Sequence, residues 1–111
     1  MGENFSNIKF KKHSLHEDGV HGIYKIDDDR YVSVCSGGGS YGKLEKIDYW
    51  IFLSNRQNEW FDNIKSTFEV AYVDNTTKEL LTGPNGNIIE GEVTPQVVED
   101  LIEKIKQDTK L

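Results

Sequence analysis

Apolar and polar positions alternate with period two along much of the chain, and that alternation predicts strands. Residues 8–11 (Ile8, Lys9, Phe10, Lys11) read as a first strand, at a sheet edge because lysines discourage edge-to-edge pairing. Residues 22–26 and 31–35 are strand-like runs on either side of Asp27, Asp28, Asp29 and Arg30, a hairpin connection by composition and length. Residues 47–53 combine aromatic and branched side chains and read as a further strand, and residues 67–73 form the clearest one. A turn at 74–77, a short return strand at 80–82, a second turn at 83–87 and a last strand at 88–93 complete the β pattern.

At Thr94 the period changes. A hydroxyl N-cap followed by Pro95 starts a helix, because proline at the first helical position loses no hydrogen bond. Val97, Val98, Leu101, Ile102 and Ile105 fall at three- and four-residue spacing and make one apolar stripe. Glu99 and Asp100 near its start and Lys104, Lys106 and Lys110 toward its end complement the helix dipole. The expectation is a single α+β domain over residues 1–111, with residues 1–7 and 109–111 fraying. It is a mostly antiparallel sheet of five to seven strands with one C-terminal helix, residues 94–108, packed on it.

In residues 49–53 both parities are large and apolar, so a strand there is buried on both faces. One helix covers one face only. The N-terminal segment, a partner, a second copy of the chain or a curled sheet would cover the other, and a homodimer is one of the expected assemblies.

The 111 residues include 36% hydrophobic and 29% charged positions, the make-up of one compact domain. A chain of this size buries roughly two thirds of its unfolded surface and needs neither disulfide nor metal to hold a core. The single cysteine, Cys35, sits in a strand-like run and reads as a core filler in a reducing compartment. The N-terminus carries an acid and no apolar segment, and the longest apolar run has five residues (49–53), so neither a signal peptide nor a spanning helix is expected. A cytoplasmic protein that does not bind membranes is the expectation.

Net charge is −6, and its distribution narrows the choice of partner. Nine of the 19 acids lie in residues 66–111 against four of the 13 bases. Such a surface repels nucleic acid and suits a basic protein or nucleoprotein complex, whose encounter opposite charge accelerates. Glu69, Asp74, Glu90 and Glu92 are the candidate steering acids. Trp60 and Phe61, paired aromatics inside a polar stretch, are the candidate anchors.

Reactive signatures fall short of their chemistry. Gly37 and Gly42-Lys43 match the first part of a phosphate loop, but Leu44 stands where Mg²⁺ needs a hydroxyl and no helix follows. His13, His16 and His21 lack a fourth ligand and a fixed period. No serine sits in a nucleophile elbow. We therefore expect no catalytic residue, metal or cofactor, and a non-enzymatic binding protein. The alternative is a module that sequesters a small anionic or nucleotide ligand through Gly38, Gly39, Ser40, Tyr41, Gly42 and Lys43.

Three segments carry a resemblance: residues 32–42 with their Gly-Gly-Gly-Ser-Tyr-Gly end, residues 68–72 (Phe-Glu-Val-Ala-Tyr) and residues 91–98 around Thr94-Pro95. In this order they resemble small uncharacterised proteins of phages, prophages and plasmids. Gln96 departs from the acid usual at its position. The resemblance implies a host-cell cytosol and an inhibitor of host or rival machinery, of anti-defence or immunity type, and it carries no enzymatic residues.

Overall fold

A computed structural model describes residues 3–13, 18–37, 42–82 and 92–109, with residues 108 and 109 described by their backbone alone. Four strands, β1 (Lys9–Lys12), β2 (Val20–Lys25), β3 (Arg30–Ser36) and β4 (Glu69–Asp74), form an antiparallel sheet in the order β1-β2-β3-β4. Three helices, α1 (Glu3–Ser6), α2 (Lys46–Leu53) and α3 (Pro95–Thr109), contribute to one core with the sheet. The fold is α+β, antiparallel, with the C-terminal helix where the cap predicts it. Val97 N–H donates to Thr94 Oγ1 at 3.3 Å, and Val98, Ile102 and Ile105 are buried.

The register explains which face is the core. Phe10, Gly22, Val34 and Val70 form one cross-strand row, and Val32 pairs with Tyr72. All these side chains are buried, as period two requires of one face. A Cβ on Gly22 would lie 2.8 Å from the Phe10 ring and collide with Ile8, so glycine there makes room for the aromatic. Phe5, Phe10, Phe52 and Phe68 meet at centroid distances of 4.7–6.2 Å, mostly tilted or edge-on.

α1 lies within the stretch expected to fray. It is held by Glu99 of α3, whose Oε1 accepts the Phe5 N–H at 3.0 Å and whose Oε2 accepts from Asn4 Nδ2 at 2.6 Å. Tyr24 and Lys106 both donate to Asn4 Oδ1, joining α1 to β2 and α3.

Two expectations are corrected. Residues 47–53 are not a strand buried on both faces. They form α2, which sends Asp48 and Phe52 inward at a spacing of four and leaves Ile47 and Trp50 in solvent. A Schellman ending closes it: Asn55 N–H donates to Phe52 O, Arg56 N–H donates to Ile51 O, and Asn55 takes a left-handed φ of 55°. The question of what covers the second face of a strand here lapses with the strand. The expected five to seven strands become four among the described residues. The return strand at 80–82 is reduced near its start to a bridge between Leu80 and Val73. Of the last strand, Val93 pairs with Phe68, while 88–91 lie outside the described residues, as does the turn at 83–87.

Candidate contact surfaces

α2 is held as a platform by buried polar groups. Asp48 Oδ2 accepts from Lys65 N (3.1 Å), Ser66 N (3.0 Å) and Ser66 Oγ (2.6 Å), and Ser66 Oγ in turn accepts from Glu45 N (2.9 Å). This chain of bonds clamps the first turn of α2 to the segment that leads into β4. At the other end Asn55 Oδ1 accepts the Phe10 N–H, occupying part of the outer edge of β1. Gln57 is wholly buried and its Nε2 donates to Ile8 O at 2.7 Å, pinning the turn after α2 to the N-terminal segment. Its Oε1 has no hydrogen-bond partner.

On this platform Ile47 is 70% exposed, Trp50 69% and Trp60 45%. With Ile51, Ser54 and Arg56 they line a groove of about 270 Å³. Arg56 and Glu59 form a two-pronged ion pair (2.8 and 3.0 Å), which holds the Glu59 carboxyl below its ordinary pKa. The pair neutralises itself, and Glu45 and Lys46 at the start of α2 also cancel. The exposed charges nearest the apolar surface are thus of both signs, and the Asp48 carboxylate on the same helix is buried. The two expected anchors part company here: Trp60 opens to solvent, whereas Phe61 is half-buried with its ring 5.5 Å from Phe5.

The expected steering acids lie elsewhere. Glu69 and Asp74 begin and end β4, on the opposite side of the sheet from β1, over which α2 packs. Glu69 is half-buried and lies across from Cys35. Asp74 caps its own turn by accepting from the N–H groups of Thr76 and Thr77, which hold its carboxyl below the usual carboxylate range, and in register it faces Arg30. Glu92 is exposed beside the Phe68–Val93 bridge, and Glu90 lies outside the described residues. Glu79 and Asp100, further acids of the C-terminal stretch, are also exposed. Lys9, Lys11 and Lys12 lie on the β1 edge, and Glu69, Asp74, Glu79 and Glu92 lie on or beside β4 with Arg30 and Lys78 among them. Asp74 lies at the end of β4 away from the Ser66 clamp on α2, with Glu79 beyond its turn, whereas Glu69 is three residues from that clamp.

Of the glycine-loop residues, Gly38, Gly39, Ser40 and Tyr41 lie outside the described residues. Gly42 is buried, and a Cβ on it would meet Thr67 O at 2.5 Å and Phe68 Cα at 2.7 Å. Lys43 exchanges backbone bonds with Thr67, donating to its Oγ1 and accepting from its N–H. Both residues fasten the loop to the start of β4.

The second face of the sheet bears His21, Ile23, Tyr31, Ser33 and Cys35. Cys35 is half-buried there, away from the core it was expected to fill, and burial pushes its thiol pKa up. His21 Nε2 bonds Ser33 Oγ at 2.8 Å, and its ring lies 6.1 Å from that of His13. Burial, then the charges of His13 and Lys11, lower its pKa. His16 is outside the described residues, among which no group of three or more His, Cys, Asp or Glu is placed to hold a metal. Nor is any described helix long and apolar enough to cross a membrane.

No family model, curated protein or solved structure matches the chain. The residues that sequence reasoning missed are Ile47 and Trp50, hidden by the strand assignment. Two signals pointed to them: Asp48 inside an apolar run, and Asn55 just beyond it, where a helix commonly ends.

Proposed function

We propose that the chain is a non-enzymatic binding protein that acts by surface contact and inhibits a basic protein. In the setting implied by its resemblance to phage, prophage and plasmid proteins, that partner is host or rival machinery that handles nucleic acid, met in the cytosol. The observation that carries the reading is the pairing of acids on and beside β4 with an exposed apolar face, Ile47 and Trp50 on the clamped helix α2 and Trp60 beyond its end. Contiguous exposed apolar side chains mark interaction surfaces, and a rigid aromatic loses little entropy when it is covered. The acids beside β4 supply the second ingredient, a field that attracts a basic partner before contact.

The test is the ionic-strength dependence of association with a partner recovered from host extract. Steering is screened over about 8 Å at physiological salt, so the association rate should fall as salt rises. Reversal of Glu79 and Glu92 to lysine should lower that rate and leave dissociation nearly unchanged. Association indifferent to both salt and reversal would remove the reading.

A further inference from the structure

We propose that the apolar surface of α2 joins two copies of this chain across a twofold axis, leaving the acidic flank of each copy free for its partner. The inference rests on reading Ile47, Trp50 and Trp60 as a contact surface and names what covers it.

Area is the first argument. Taking about 250 Å² for a whole tryptophan and somewhat less for isoleucine, the exposed fractions amount to roughly 400 Å² of apolar surface. Interfaces are about 60% apolar, so a patch of this content corresponds to roughly 670 Å² per copy. Two such faces bury about 1,300 Å², at the lower end of standard protein–protein contacts. The rim that completes it is present in Ser54 and the Arg56–Glu59 pair.

Charge is the second argument. Two chains of net charge −6 repel wherever their acids face each other. Around the groove the exposed charges come in both signs, Lys46 beside Glu45 and Arg56 paired with Glu59, and the Asp48 carboxylate is buried under its hydrogen bonds, so copies approach there with little of that cost. A basic partner finds no complementary field on this surface and finds one beside β4.

Sedimentation equilibrium of the full chain from about 5 to 500 μM, in low and high salt, tests the proposal. The expected result is a monomer–dimer equilibrium with Kd of order micromolar that tightens as salt screens the −6 repulsion, the reverse of binding to a basic partner. Tryptophan emission should shift to the blue over the same concentrations. Trp50→Ala should weaken the dimer at least tenfold and Ile47→Asp should abolish it. Both side chains are exposed, so circular dichroism, and melting at concentrations well below Kd, should match the parent chain. A single monomeric species throughout, or variants that dimerise like the parent, overturns the proposal. If the chain stays monomeric while Trp50→Ala loses a basic partner, the surface serves that partner directly and only the twofold pairing falls. If the dimer forms as expected while partner binding ignores salt and the acid reversals, the pairing stands and the inhibitor reading falls.

Discussion

Removal of the Asp48 carboxylate should be among the most damaging single changes to this domain. Asp48 is 1% exposed and receives three hydrogen bonds on one oxygen. Hydrogen bonds to a charged acceptor contribute about 1.5–3 kcal/mol each, and donors left buried without a partner cost about 1–3 kcal/mol. The Lys65 N–H is partly open to water and the Ser66 hydroxyl can turn, so the full sum is not reached. We expect Asp48→Ala to cost about 3–5 kcal/mol, a large share of the roughly 5–15 kcal/mol that holds a domain of this size. Asp48→Asn should cost about half as much, since its carbonyl still accepts while its NH₂ finds itself beside donors. Urea titration followed by circular dichroism is the assay. With a slope of about 1–3 kcal/mol per molar, the alanine variant should unfold at least 1 M earlier. Ser66→Ala shares the network, so the double variant should cost less than the sum of the singles. A loss below about 1 kcal/mol for Asp48→Ala would refute the clamp, and with it the account of why residues 46–53 are helical.

Gly42→Ala should destabilise by about 1–3 kcal/mol, because its Cβ would press on backbone atoms of Thr67 and Phe68 that cannot swing aside; urea midpoints equal to the parent's would contradict this. Stability should also fall as pH drops below about 6.5, where the unfolded chain protonates His21 before the folded one does, and should level once the lowered folded pKa is passed. His21→Gln should flatten that part of the profile, measured by urea midpoints between pH 7.5 and 5. Asp27 and Asp74, whose pKa values are lowered on folding, act only at more acidic pH.

The chain's local patterns determined the parts of the fold whose stabilising contacts are close in sequence. The β2–β3 hairpin follows from two β-rich runs around a turn in which Asp27 accepts from the Asp29 and Arg30 N–H groups. The start of α3 follows from Thr94 and Pro95, and its buried face from the spacing of Val98, Ile102 and Ile105. β4 is likewise legible in its alternation. Tertiary structure decided the state of residues 46–53. The stretch 47–53, aromatic and branched side chains interrupted only by Asp48, satisfies period two and period 3.6 alike, so periodicity does not separate strand from helix. What separates them is Asp48, whose burial is tolerable only where Lys65 and Ser66, 17 and 18 positions away, bring donors to it. The same long-range contacts settle the candidate site. Trp60 and the acids are both conspicuous in the sequence, but only the packing of α2 over β1 and β2 sets the anchors apart from Asp74 at the far end of β4. Trp50 is conspicuous too, and its exposure follows from a helical rotation that no local pattern specifies.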